Sequence, residues 1–237
     1  MRLFLTTYNK TGTHQIMPAL RIFNDVEDRS NNSLSYVSRY VPDRIDAYID
    51  DEGVKRTCED LKSFEVHAFG HLSYMPEFVD ALQTRPTKVI FNVRDPRDVI
   101  VAELHNMMKH GYNSWLNFPL IDKSCYVSDD DPISHLIDFA TRWYRWIGWL
   151  DHDFVYKVKY EDLRLHPEET VVDMWKWLGD DYRIDTGAVV RGLLPKDHNP
   201  TFRKGAVGDW KEHFTDAHKK KAEEMLGEII TLLGYDL

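Results

Sequence analysis

The run Lys88-Val89-Ile90-Phe91-Asn92-Val93 constrains the fold more than any other stretch of the chain. A segment this apolar sits most readily at the centre of a sheet covered on both faces. Directly after it, Asp95-Pro96 supplies an N-cap and a first-turn proline, so the strand passes into a helix reaching about residue 109. Strand, turn, helix is the unit of a parallel α/β sheet, and the same order occurs at the start of the chain. Residues 2–8 read as a buried strand, 9–13 as a polar turn and 14–23 as a helical pattern. Further strands are expected at 64–69 and 154–160, and further helices at 76–82, 135–150, 167–178 and 216–233. Two stretches, 24–53 and 111–132, lack a period and read as long loops, the first with room for one short helix. The expectation is a single α/β domain over 1–237. A mainly parallel central sheet is flanked by helices, a P-loop-like phosphate-binding turn follows the first strand, and ligands collect at the strands' carboxyl ends.

Charge and composition narrow the function. Thirty Lys and Arg against 39 Asp and Glu give a net charge of -9, which argues against nucleic acid or anionic lipid as a partner held by overall charge. No apolar run reaches the roughly 18 residues needed to cross a bilayer, and the opening Leu3-Phe4-Leu5 is too short for a signal-peptide core, so the expected compartment is the cytoplasm. Cys58 and Cys125 have no CxxC partner, so neither a disulfide framework nor a cysteine zinc site is supported. An anionic small molecule remains possible where donors gather locally.

Three clusters could supply those donors. The turn Tyr8-Asn9-Lys10-Thr11-Gly12-Thr13 lies where free backbone N–H groups and a positive helix end would face an anion. Lys10 adds a charge, Gly12 permits close approach, and Thr11 and Thr13 offer hydroxyls; without the GxxxxGK[ST] order, the turn also fits an ordinary strand-to-helix connection. Arg94-Asp95-Pro96-Arg97-Asp98 could present a guanidinium to a phosphate, or could simply be a capped helix with a surface ion pair. Phe202-Arg203-Lys204-Gly205, with Gly208-Asp209-Trp210 behind it, could wrap a phosphate or be a solvated loop. Trp143, Trp146 and Trp149 have helical spacing and read mainly as core.

Taken in order, Tyr-x-Lys-Thr-Gly-Thr, Arg-Asp-Pro-Arg-Asp-Val, Lys-Tyr-Glu-Asp-Leu and Arg-Lys-Gly-x-x-Gly-Asp-Trp resemble the sulfotransferase family that uses 3′-phosphoadenosine 5′-phosphosulfate (PAPS). The chain looks most similar to the cytosolic small-molecule branch. The resemblance implies that Lys10, Thr11, Gly12 and Thr13, with the backbone of His14, hold the 5′-phosphosulfate. It implies that Arg94, Arg203, Lys204 and Gly205 hold the 3′-phosphate, and that Tyr160 faces the adenine. Phe69-Gly70-His71-Leu72-Ser73 resembles the family's catalytic-histidine segment, which makes His71 the candidate base and Lys10 the group stabilising the leaving bisphosphate. No metal is required by this scheme.

Imidazole chemistry agrees with a hydroxyl losing its proton at neutral pH. His67 competes with His71, because both would share a face of an alternating strand; His14 and His105 are weaker candidates. Three positions depart from the family pattern: Gln15 where an aromatic usually stacks on adenine, Ala102 where a serine usually meets the 3′-phosphate, and Phe69 in place of a lysine. The expected reaction is sulfuryl transfer to a hydroxyl, less readily an amine, of a small acceptor. Tyr36, Tyr40, Tyr112, Trp115 and Phe118 suggest an acceptor with an apolar or aromatic body. Two alternatives stay open, a P-loop-type small-molecule kinase and a non-catalytic binder of adenosine bisphosphate; the oligomeric state is open too.

Overall fold

The structure is a computed structural model, and the residues described are 2–8, 10–13, 16, 35–36, 51–65, 67–110, 131–179, 187 and 204–237. Five strands form one sheet: β1 (Arg2–Thr7), β2 (Ser35–Tyr36), β3 (His67–Gly70), β4 (Thr87–Val93) and β5 (Val155–Lys159). Their spatial order is β2-β3-β1-β4-β5, and every pairing is parallel. Central β1 therefore has β3 on one side and β4 on the other, which opens a crevice at its carboxyl end.

Both faces of the sheet are buried, as the apolar strands require. Alternation along β1 and β4 sends Phe4, Val89, Phe91 and Val93 to one face and Leu3, Leu5 and Ile90 to the other. The first face packs against α1 (Asp51–Ser63), α2 (Pro76–Gln83), α3 (Pro96–His110), α4 (Pro132–Ala140) and, later in the chain, a long helix at Asp216–Leu233. Before that helix come α5 (Tyr144–Ile147), α6 (Tyr160–Leu165), α7 (Pro167–Leu178) and α8 (Trp210–His213), so it is α9. Leu163 of α6 and Val171, Met174 and Leu178 of α7 cover the second face. At the amino edge of the sheet, the buried Arg2 guanidinium donates to Leu61 O at 2.9 Å and Leu82 O at 2.7 Å, and its Nε to Thr87 Oγ1 at 3.0 Å. It thereby satisfies carbonyls at the ends of α1 and α2 that the helices leave open.

Several expected boundaries shift. Helix α1 begins at Asp51, inside the stretch read as loop, and Ser35–Tyr36 of that stretch adds a strand at the sheet edge. The second long strand is 67–70 rather than 64–69, and the strand at 155–159 stops before Tyr160, which opens α6. The helix expected over 135–150 starts earlier, where Asp131 accepts from Ser134 N at 3.1 Å and Pro132 takes the first turn. It then breaks into 3-10 turns at Thr141–Trp143 and Gly148–Asp151. At the second of these turns, Gly148 lies so close to Tyr74 that a Cβ there would sit 2.4 Å from Tyr74 Cδ1. Helices 167–178 and 216–233 agree with their expected limits. The pattern at 14–23 lies outside the described residues except at Ile16, which is helical.

Candidate active site

Because all five strands point the same way, the residues that follow them gather on one edge: the turn at 8–13 after β1, His71 after β3, Arg94 after β4 and Tyr160 after β5. In the turn after β1, Lys10 adopts φ 62 and Gly12 φ 89, two left-handed residues that fold the backbone back on itself. A turn of this kind ahead of a helix is a setting in which backbone N–H groups can face an anion. Lys10 is half-buried; burial lowers its ammonium pKa from the usual 10.5, and the charge of Glu103 partly opposes this.

The hydroxyls of Thr11 and Thr13 are engaged within the turn. Thr11 Oγ1 donates to Tyr8 O at 3.0 Å, and Thr13 Oγ1 sits 2.8 Å from Thr7 Oγ1. Both residues are buried and brace the turn internally, Thr11 on a carbonyl of the turn and Thr13 on the Thr7 hydroxyl. Asn92 of β4 also holds the turn, donating through Nδ2 to Thr11 O at 2.8 Å. That role was missed in the sequence, although a lone amide inside the most apolar strand was the available signal. Tyr8 anchors the turn from below, its ring stacked on Trp143 at 5.1 Å and its hydroxyl bonded to Arg94 O. All three tryptophans are buried, and Trp149 Nε1 donates to Leu72 O at 3.0 Å, next to His71.

His71 lies just past β3, against the end of β1 that leads into Lys10's turn. Its Nδ1 lies 3.2 Å from Thr7 O and 3.0 Å from Thr7 Oγ1. A carbonyl only accepts, so Nδ1 carries the proton, and the neutral ring keeps its lone pair on Nε2. Register separates His71 from its competitor: His67 pairs with Leu3, whereas Gly70, the residue before His71, pairs with Thr6. His67 therefore begins β3, about 10 Å of strand away from the carboxyl edge.

Arg94 connects the site's remaining parts. Its two terminal nitrogens donate to Lys10 O at 3.3 Å and Ala206 O at 3.0 Å, and its Cζ lies 4.4 Å over the Tyr160 ring. At 8% exposure it is more enclosed than a surface phosphate ligand, and its Nε is buried with no hydrogen bond among the described residues. Asp98 fixes the terminal loop, accepting from Gly208 N at 2.7 Å and Trp210 N at 2.9 Å, while Gly205 O accepts from Arg164 Nε at 3.2 Å. Burial raises the Asp98 pKa against the pull of those two N–H bonds and of Arg94. Lys204 is exposed, its Nζ 3.5 Å from Asp209 Oδ1. The structure thus brings Lys10, Thr11, Gly12, Thr13, Arg94, Tyr160 and the 204–206 segment together. His14, Gln15, Arg203, Tyr40, Tyr112, Trp115 and Phe118 lie outside the described residues. Of the weaker histidines, His105 sits on α3 against His213 of α8, ring centroids 5.2 Å apart.

An all-parallel sheet with the turn after β1, His71 and Arg94 gathered on one edge defines an α/β protein whose candidate site lies at the strands' carboxyl ends. The family model "Sulfotransferase domain" matches residues 1–234, and the chain belongs to the sulfotransferase family. It is 28% identical over 159 residues to sulfotransferase 6B1 of Danio rerio, a match that covers 60% of this chain and 51% of that protein. It is 22% identical over 264 aligned positions to flavonol 4′-sulfotransferase of Flaveria chlorifolia, covering 98% and 80%. Mouse sulfotransferase SULT7A1, solved in complex with PAP, has the same fold, with a TM-score of 0.63 at 20% identity over 97% of this chain and 84% of that one. Among the described residues, no helix is long and apolar enough to cross a membrane.

Proposed function

We propose that the protein transfers a sulfuryl group from PAPS to a hydroxyl, or less readily an amine, of a small acceptor with an apolar or aromatic body, in the cytoplasm. The observation that carries this reading is the Thr7–His71 contact, which holds the imidazole beside the strand end that leads into the Lys10 turn and leaves Nε2 as the unprotonated nitrogen. The residues present fit the nucleotide: Lys10 and the N–H groups of residues 10–13 suit the 5′-phosphosulfate. Arg94, between that turn and the 204–206 segment, suits the 3′-phosphate with Arg203, Lys204 and Gly205. The backbone N–H of His14 would extend the turn's donor row. Tyr160 would approach the adenine by its edge or hydroxyl, one ring face being taken by Arg94.

PAPS supplies an activated sulfuryl group on a bisphosphate leaving group. His71 Nε2 takes the acceptor's proton as the acceptor oxygen bonds to sulfur, and Nδ1–H stays on Thr7 throughout. Lys10 neutralises the charge that develops on the bridging oxygen as the sulfur–oxygen bond to the bisphosphate breaks. His71 then returns its proton to solvent. The scheme routes no step through a metal ion; positioning and fixed positive charge carry the transfer.

Calorimetry with adenosine 3′,5′-bisphosphate followed by an acceptor screen with labelled PAPS tests the proposal. One bound nucleotide and turnover with at least one acceptor are expected. Phe69 in the family's lysine position and the enclosed Arg94 favour a second reading, a non-catalytic nucleotide binder, which predicts binding without turnover on any acceptor.

A further inference from the structure

Beside the terminal loop, three side chains of metal-ligating type converge: His105 from α3, and Asp209 and His213 from the start and end of α8. One ligand atom from each lies within 4.8 Å of the other two. His213 Nε2 is 3.7 Å from Asp209 Oδ2, and both Nε2 atoms are buried. We infer that His105, Asp209 and His213 form a binding site for a divalent d-block cation of the zinc class. A tetrahedral ion with bonds of about 2.0–2.1 Å separates its ligands by roughly 3.4 Å, close to the 3.7 Å between His213 Nε2 and Asp209 Oδ2, and every other pair lies within 4.8 Å.

Two imidazoles with one carboxylate favour Zn2+ or its neighbours over Mg2+ and Ca2+, which take oxygen ligands. The i, i+4 spacing of Asp209 and His213 puts both on one face of α8, turned towards His105. Asp209 is nearly buried, and its two oxygens divide their contacts: Oδ2 faces His213 and Oδ1 faces Lys204 at 3.5 Å. A cation there would fasten α8 to α3 next to the place where Asp98 already holds Gly208 and Trp210. Its role is structural, separate from the proposed sulfuryl transfer and independent of whether that proposal holds.

The test uses the full chain, stripped with a chelator and titrated with Co2+ or Zn2+ alone, without nucleotide. One equivalent of Co2+ should give the visible d–d bands of a four-coordinate site, Zn2+ should displace it, and Zn2+ should raise the thermal midpoint. His105→Gln and His213→Ala should each weaken Zn2+ by more than about tenfold, while His71→Asn keeps the affinity. Absence of a saturable Co2+ spectrum in the unaltered chain overturns the inference, even if the variants fail to fold. So does binding that survives His213→Ala and disappears in His71→Asn.

Discussion

At the scale of single residues, the site depends on which atoms hold which protons. His71 has its Nδ1–H fixed by Thr7 O, so His71→Asn should keep an amide donor for Thr7 while removing the basic atom. Turnover should fall about 10²–10⁴-fold, with bisphosphate affinity by calorimetry nearly unchanged; an equal loss of both would make His71 a binding residue instead. Lys10 poses a different question. Burial lowers its pKa, so raising the pH discharges it before the usual 10.5 is reached. A bound phosphosulfate favours the charged ammonium, and affinity should therefore decline as pH rises through that lowered value. Bisphosphate titrations between pH 7 and 10 should show the decline in the native chain and not in Lys10→Arg, whose guanidinium stays charged. Identical flat profiles would exclude Lys10 from the nucleotide contact.

At the scale of elements, the crevice depends on two packing contacts that lie outside it. The broken helical stretch at 132–151 lies against the segment after β3, with Tyr74 N bonded to Arg145 O at 2.7 Å and Tyr74 edge-on to Trp149. Gly148→Ala would drive a methyl into the Tyr74 ring, a shift that nearby backbone bonds resist. Denaturant unfolding should show a loss of about 1–3 kcal/mol, with the midpoint reduced and the slope kept. Arg2, at the opposite edge, satisfies carbonyls of α1 and α2 while its Cζ sits 4.3 Å over the Phe64 ring. Arg2→Met preserves most of that volume yet removes the guanidinium's bonds to Leu61 O and Leu82 O, the latter keeping only the Thr87 hydroxyl. It should cost about 2–4 kcal/mol, and a variant as stable as the native chain would show that the capping bonds contribute little.

At the scale of the whole molecule, the chain's last residues are tied to the site's foundation. Tyr235 donates to Glu161 Oε2 at 2.6 Å, Glu161 Oε1 accepts from Asp95 N at 3.1 Å, and Arg97 donates to Asp236 O at 2.6 Å. Burial raises the Glu161 pKa above 4.5 despite the bonds from Tyr235 and Asp95. The folded state thus holds this proton more tightly than the unfolded chain does. The sign follows: the contribution is fully present below pH 4.5 and is lost as pH rises through the higher folded value. Denaturation curves from pH 4.5 to 7 should show that decline in the native protein and a smaller one in Glu161→Gln. Equal slopes in the two would mean that Glu161 does not titrate differently on folding.

Local chemistry made the strand-turn-helix units legible: the apolar run at 88–93, the Asp95-Pro96 start and the Lys-Thr-Gly-Thr turn each declare themselves within ten residues. From them followed a parallel sheet, the family resemblance and the residues expected at its carboxyl edge. The edge strand at 35–36 escaped notice because two residues carry no period, and α1 because its mostly charged surface hides the few positions that it buries. What only tertiary structure decided are the pairings across distance: Thr7 with His71, Asn92 with Thr11, Asp98 with the 208–210 backbone, and His105 with His213. Each joins residues far apart in the chain or on separate elements. Whether Thr11 and Thr13 face a ligand or their own turn, and which histidine reaches the crevice, depends on register and burial, which arise only when the strands align.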